Sequence, residues 1–375
     1  MNNNSSNICC ILNLAPHYRE PIFKLMDKEL KCDFYFGDKV DTPIKLMNVK
    51  DLKGYKKTVE NKKILFNKYT WQRGVVKLVF KKYKYFIITG NPSCLSNWFI
   101  VLFALFLNKK VFLWMHGLKS EVNLSWKAKL LIYPFYHMAD KFLLYGEYSK
   151  NILIKKGFNE KKMFCIYNSL DYDQQVLARE QLAKSRIFYN YFKNDYPVLI
   201  FLGRIQHSKK INLILEAMTI LKKQNFMCNL VIVGEDKEGV CLDKVICKNN
   251  LAENIWLYGA CYQEKEIAEL FYNSSLCVSP GNIGLVALHS LVYGIPAITH
   301  NNFENQMPEF EAIIPGETGD FFTEDNVSDL SEKIKKWICL DAQTREIVSK
   351  NCHNIIDEKY NPHYQINLLK KITNS

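Results

Sequence analysis

Eleven short runs of strand-forming apolar residues recur along this chain, and most are separated by stretches with helical periodicity. Parallel strands need a crossover of a dozen or more residues, usually a helix, so the alternation predicts parallel sheets flanked by helices. In the first half the runs are residues 8–14, 32–36, 85–88, 111–115, 142–145 and 163–167; in the second they are 198–202, 229–233, 255–258, 276–279 and 297–300. A length of 375 residues with 48% hydrophobic content suits two domains with full cores. The alternation lapses between Asp171 and Asp195, where residues 174–185 read as a polar, partly helical connection. The expected domains are therefore residues 1–175 and 196–355, with a terminal helical segment at 356–375. Sheets of this kind bind ligands outside the carboxyl ends of their strands, and two that face each other create one cleft.

One strand end stands out. The run Val198-Leu-Ile-Phe-Leu202 leads into Gly203, Arg204, a basic cluster at Lys209 and Lys210, and an amphipathic helix. Gly203 lets the backbone turn sharply, and Arg204 and Lys209 can converge where the next helix presents its unpaired N–H groups. Two cations beside a helix N-terminus suit a diphosphate. Further on, Cys277-Val-Ser-Pro leads into Gly281, Asn282, Ile283 and Gly284, a helix opens at about Leu285, and Gly294-Ile-Pro296 ends it. A loop with two glycines lets backbone N–H groups approach phosphate oxygens. No G-x-G-x-x-G or G-x-x-x-x-G-K-[ST] pattern occurs.

With these pieces in view the chain resembles the family 4 glycosyltransferases. These are retaining enzymes of the GT-B type, with two Rossmann-like domains, that use nucleotide-diphosphate sugars. The resemblance also rests on Leu230-Val-Ile-Val-Gly234-Glu235, Leu257-Tyr-Gly259, Pro308-Glu309 and Gly316-Glu-Thr-Gly319. In the first half it rests on Trp114-Met-His116-Gly117, Tyr145-Gly-Glu147-Tyr-Ser-Lys150 and Ile166-Tyr-Asn168-Ser-Leu-Asp171. It implies an α/β fold, a donor held mostly by the second domain, and a terminal segment that packs back on the first. Arg204 and Lys209 are then the groups aimed at the leaving diphosphate, with the N–H groups of Gly284 and Leu285. Gly203, Gly281, Asn282, His289 and Glu309 complete the donor side. The resemblance puts His116 beside the transferred sugar. His17 and Arg19, which follow the first strand, are the acceptor candidates, Arg19 as a phosphate ligand.

The chain departs from the family at one place. Two glutamates usually stand eight positions apart, one near the sugar and one on the nucleotide ribose; here those positions are Gly281 and His289. A histidine can still exchange a hydrogen bond with a ribose hydroxyl, but Gly281 offers only backbone. Glu304, Glu309 and Glu311 are nearby carboxylates that can hold the sugar instead.

Charge is distributed unevenly. Residues 1–190 carry 32 Lys and Arg against 15 Asp and Glu, so the remainder carries 18 against 23, consistent with the overall +12. A basic first half suggests an anionic partner, and an anionic membrane surface or a lipid-linked acceptor fits a glycosyltransferase better than nucleic acid does; no aromatic RNA-reading motif is present. Residues 71–84 read as a helix with Trp71, Val75, Leu78 and Val79 on one face and Lys77, Lys81 and Lys84 on another. That helix suits either a membrane surface or the outside of a sheet. The longest apolar run, residues 98–107, is too short to span a bilayer and reads as a buried helix.

Twelve cysteines without C-x-x-C spacing, and no charged-then-apolar leader, suggest a reducing compartment, without disulfides or zinc. The expected location is the cytoplasm, peripheral to the membrane's inner face. Asp171-Tyr-Asp173 looks like a metal motif of another glycosyltransferase architecture but reads here as an interdomain turn. Arg204 and Lys209 supply the positive charge a metal would bring, so neither a metal nor a cofactor is expected. The function classes consistent with these residues are a glycosyltransferase of surface polysaccharide or lipid-linked saccharide synthesis, a sugar-nucleotide epimerase or phosphorylase of the same architecture, and a non-catalytic binding protein.

Overall fold

A computed structural model describes residues 6–40, 44–120 and 125–374. The chain divides into two compact units, residues 1–171 with 362–375, and residues 172–361. Residues 1–5 and 375, at the outer ends of the expected domains, lie outside the described residues.

The first unit begins β1 (Ile8–Leu12), α1 (Glu20–Leu30), β2 (Asp33–Gly37), β3 (Tyr55–Val59), β4 (Asn61–Ile64), β5 (Tyr69–Gln72) and β6 (Tyr85–Thr89). It continues α2 (Leu95–Phe106), β7 (Lys110–Met115), α3 (Trp126–Met138), β8 (Lys141–Leu144), α4 (Glu147–Lys155) and β9 (Met163–Cys165). Seven strands pair in parallel in the order β3-β2-β1-β6-β7-β8-β9. The inner strands are apolar on both faces because helices cover both; β1 is buried along its whole length. Pro21, with its fixed φ, starts α1. Phe23 on α1 then packs on Phe34, Phe36 and Trp114.

The second unit contains α5 (Tyr172–Gln181), α6 (Ile187–Phe192), β10 (Val198–Leu202), α7 (Asn212–Lys223), β11 (Asn229–Val233), α8 (Leu242–Lys248) and β12 (Ile255–Gly259). There follow α9 (Glu264–Asn273), β13 (Leu276–Val278), α10 (Val286–Val292), β14 (Ala297–His300), β15 (Gly319–Phe322), α11 (Val327–Ile338) and α12 (Ala342–Glu358). Its strands, all parallel, run β12-β11-β10-β13-β14-β15. The chain reverses direction across each sheet beside β1 and β10, which is the Rossmann pattern. Finally α13 (Pro362–Asn374) packs on α1, where Ile366, Leu369 and Ile372 join the core of the first unit.

Three expectations need correction. Residues 71–84 are not a helix. Trp71 and Gln72 pair with Lys62 and Asn61 in the β4–β5 hairpin, Gly74 adopts φ +79°, and only Val76–Phe80 coils, as a 3-10 turn. The apolar residues of the proposed face are inward all the same, because Val75, Leu78 and Val79 are buried and Trp71 packs edge-on against Phe99. Residues 98–106 do lie in a helix, which Leu107 caps, but its outer side is exposed. Four strands also went unrecognised. β3 is a lysine-bearing edge strand, β4 and β5 are short hairpin strands, and β15 is four residues that open with a glycine. Among the described residues no helix is long and apolar enough to cross a membrane.

Candidate functional site

The carboxyl end of β10 builds the centre of the second unit's site. Gly203 turns with φ +144°, and its N–H donates to the Val233 carbonyl at 2.9 Å, while Ile205 donates to Glu235 at 3.0 Å. This anchors the turn to β11, and the backbones pass so closely that a Cβ on Gly234 would stand 1.9 Å from the Gly203 oxygen. Arg204 projects from the turn with an exposed side chain. A single 3-10 turn, His207–Lys209, follows and ends at Lys210 in the left-handed region (φ 51°). The two neighbouring lysines diverge there. Lys210 pairs outward with Asp325 at 2.6 Å and Glu324 at 3.0 Å, and Lys209 turns inward.

Lys209 joins the two elements that the sequence singled out. Its Nζ donates to both the carbonyl and the side-chain oxygen of Asn282, each at 2.6 Å. The Gly281 N–H donates back to the Lys209 carbonyl at 3.1 Å. Burial, and then the charge of Arg204, push the Lys209 ammonium down to about 8, against a smaller upward pull from Glu309. Glu309 is 2% exposed in the 3-10 turn Pro308–Ala312. Arg204, Lys209, Asn282 and Glu309 thus form one electrostatic neighbourhood. Glu304 is exposed and Glu311 half-buried.

The glycine loop is rigidly held. Thr299 donates to the carbonyls of Ser279 and Gly281 at 2.8 and 3.0 Å, and Gln306 donates to Thr299 at 2.8 Å and accepts from the Ile283 N–H at 3.0 Å. Gly281 itself has no room for a side chain, since a Cβ there would lie 2.3 Å from the Ser208 carbonyl oxygen and 2.8 Å from the Lys209 Cα. A glutamate at this position would force that backbone to shift. Gly284 takes φ 55° and Leu285 caps α10, so their N–H groups lie at the start of that helix.

His289, on α10, stands in a network that sequence reasoning missed. Its Nδ1 is 3.2 Å from Gln175 Nε2 and 3.7 Å from Glu264 Oε1, and its ring stacks parallel to Phe271. Gln175 and the Tyr293 hydroxyl both donate to Glu264. Burial pushes the Glu264 carboxyl up, yet its bonds with His289, Tyr293 and Gln175 outweigh that and hold it at about 2. Nothing in the spacing of Glu264 and Gln175 links them to α10; only the packing of α9 and α5 does.

In the first unit, Arg19 and His116 lie against a shared aromatic side chain, Tyr145. The Arg19 guanidinium lies 5.1 Å from the ring centres of both Trp114 and Tyr145, and His116 lies 4.7 Å from Tyr145. These residues cluster at the carboxyl ends of β1, β7 and β8. His116 keeps an open surface to solvent although atoms crowd it from most directions. Desolvation, followed by the charges of Arg19 and Lys119, pushes its imidazole down to about 4, so it is neutral near pH 7. His17 is exposed, its Nδ1 3.2 Å from the Lys45 carbonyl. Asp171 ends the first unit, and Asp173 is exposed in the first turn of α5. Among the described residues no group of three or more His, Cys, Asp or Glu side chains is placed to hold a metal.

Residues 184–354 match the family described as glycosyl transferases group 1. Curated relatives are distant. An uncharacterized 41.2 kDa protein of the cps region of Klebsiella pneumoniae is 24% identical over 47% of this chain and 48% of its own length. Alpha-D-kanosaminyltransferase of Streptomyces kanamyceticus is 23% identical over 50% of this chain and 48% of its own. The chain thus spans about half the length of the curated relatives it matches. Among solved structures, Anabaena HepE in complex with UDP superposes with a TM-score of 0.73 at 14% identity, over 98% of this chain and all of that one. The lipopolysaccharide outer core galactosyltransferase WaaB, in its apo form, gives 0.68 at 14% identity over 98% of each chain. These likenesses establish the fold as that of the GT-B proteins, α/β with two Rossmann-like domains.

Proposed function

We propose that this chain, whose residues 184–354 form a group 1 glycosyl transferase domain, moves a sugar from a nucleotide-diphosphate sugar to a saccharide or lipid-linked acceptor in the synthesis of a surface polysaccharide. The observation that carries the reading is the junction of Lys209 with Asn282 and Gly281 beside Arg204. An ammonium has three donors, and two are spent on Asn282, so a third is available to a phosphate oxygen. Arg204 supplies a second cation from an exposed position. HepE, solved with UDP and with UDP-glucose, supports a nucleotide-sugar donor.

In the proposed reaction the bond from the anomeric carbon to the diphosphate oxygen breaks while a bond to the acceptor oxygen forms on the same face. The acceptor's proton passes to a departing phosphate oxygen, so no separate strong base is required. Arg204 and Lys209 stabilise the charge that develops on the diphosphate. His289, oriented by Glu264 and Gln175, exchanges a hydrogen bond with the ribose. Glu309 takes over the sugar contact for which Gly281 has no side chain. Arg19 and His116 receive the acceptor on the first unit, where a neutral imidazole can accept a hydroxyl proton's hydrogen bond. The two cations make the transfer independent of added divalent metal.

The test is to screen nucleotide sugars by thermal shift, then to incubate each stabilising donor with saccharide and lipid-linked acceptors, with and without a chelator. Acceptor-dependent glycosylated product that survives chelation is the expected result. Acceptor-independent conversion of the sugar would identify an epimerase instead, and donor binding without any product a non-catalytic protein.

A further inference from the structure

Helix α2 is apolar on every side, which a helix covering one face of a sheet does not require. Ile100, Val101 and Ala104 are buried. On its other side Phe99, Leu105 and Phe106 are 43%, 58% and 78% exposed. Phe80 packs on Phe103 of α2, and the elements beside α2 also expose apolar side chains. The 3-10 turn Val76–Phe80 exposes Phe80, and α3 exposes Trp126 and Leu130. Clusters of exposed large apolar side chains mark interaction sites.

The charge on these elements is mostly positive, although Arg73 pairs with Glu60 and Lys110 with Asp140. Lys77, Lys81 and Lys82 stand exposed around Phe80, and Lys127 and Lys129 around Trp126 and Leu130. Between Asn61 and Ala139 the sequence has thirteen Lys and Arg and a single acidic residue, Glu121. Protein interfaces are depleted in lysine, whereas at a bilayer lysine stems lie along apolar surface and carry the charge to the headgroups. Nucleic acid would match the charge but would leave Leu105 and Phe106 without a role.

We propose that the α2 face, with Phe80, Trp126 and Leu130, docks on an anionic lipid bilayer. Phe99, Leu105 and Phe106 enter the boundary between headgroups and acyl chains, and the flanking lysines meet the lipid phosphates. The inference gives a surface to the lipid-linked part of the proposed function but uses no step of the transfer. Its failure would show in vesicle binding alone, and failure of the donor reading in nucleotide binding alone.

The experiment is flotation of the full chain with vesicles of phosphatidylglycerol and phosphatidylethanolamine, or of phosphatidylcholine only, across a salt series. Wild-type protein is expected to float with the anionic vesicles, to lose most of that binding as salt rises from about 0.05 to 0.5 M, and to ignore the zwitterionic ones. Leu105→Ser/Phe106→Ser changes only exposed side chains, so circular dichroism and UDP binding should match wild type. Its partitioning should fall by about tenfold or more. The quadruple variant Lys81→Gln/Lys82→Gln/Lys127→Gln/Lys129→Gln should flatten the salt dependence. Three results would each overturn the proposal: wild-type protein that stays unbound to anionic vesicles at low salt, a serine double variant that floats as well as wild type, or self-association without lipid that the serine variant abolishes, which would make this face a protein interface.

Discussion

Placing a side chain on Gly281 tests both the packing of the site and its chemistry. A Cβ would press 2.3 Å from the Ser208 carbonyl oxygen and 2.8 Å from the Lys209 Cα, and both are backbone atoms that no rotamer change can move aside. Relief requires the His207–Lys209 turn to shift, at an overpacking cost of roughly 1–3 kcal/mol. For a unit of this size that lowers the melting temperature by about 2–12 °C. The shift also pulls Lys209 from its two 2.6 Å bonds with Asn282. Charge-assisted bonds are worth about 1.5–3 kcal/mol, so UDP affinity should fall at least about tenfold. Because the clash lies at Cβ, Gly281→Ala and Gly281→Glu should both show these losses in scanning fluorimetry and titration calorimetry. A Gly281→Glu variant that melts with wild type and transfers sugar faster would refute the reasoning, since it would mean that the site had room for the family's glutamate.

Three further outcomes are expected. Arg204→Ala and Lys209→Ala should each lower the transfer rate by about a hundredfold or more with unchanged circular dichroism, because each removes a cation from the leaving group; steady-state kinetics reads this directly. Lys209 is held near 8 instead of 10.5, so donor affinity should decline as pH rises above about 8, and Lys209→Arg should remove that decline. A flat wild-type titration from pH 7 to about 9.5 would contradict the burial of this ammonium. Glu264 is depressed from 4.5 to about 2, so the stability it contributes is present above 4.5 and lost as pH falls through 2. Denaturant melts of Glu264→Gln should therefore show a shallower acid loss between those values than wild type.

Where the sequence was legible, burial made it so. The strands β1, β6, β7, β10 and β11 are covered on both faces, and a covered strand must be a continuous apolar run. β3 could not be recognised this way, because an edge strand tolerates the exposed Lys56 and Lys57 that a central strand would not. Residues 71–84 misled for a different reason. Trp71, Val75, Leu78 and Val79 fit a helical period, but Gly74 at φ +79° breaks the path between the first of them and the rest. In the site, Gly203, Arg204, Lys209, Gly281 and Asn282 could be found from turn chemistry and charge. The Glu264 and Gln175 partners of His289 could not, since they come from helices that carry no motif and meet α10 only through tertiary packing.

The absence of a side chain at position 281 and the placement of Lys209 have a common physical origin. The Gly281 N–H reaches the Lys209 carbonyl only because nothing projects from the Gly281 α-carbon. That approach fixes the backbone of residues 208 and 209 and brings Nζ onto Asn282. A side chain at 281 would press on the backbone of residues 208 and 209 and disturb the contact that positions this ammonium. Glu309 answers the charge from another element, where it lies buried, acts on Lys209 and leaves the glycine contact intact. On the proposed reading, sugar recognition has moved from the glycine loop to the Pro308–Ala312 turn, while diphosphate recognition stays with Arg204 and Lys209. Glu309→Gln should then impair transfer more than UDP binding, because UDP carries the diphosphate but no sugar; equal losses in both would return Glu309 to a purely electrostatic role beside Lys209.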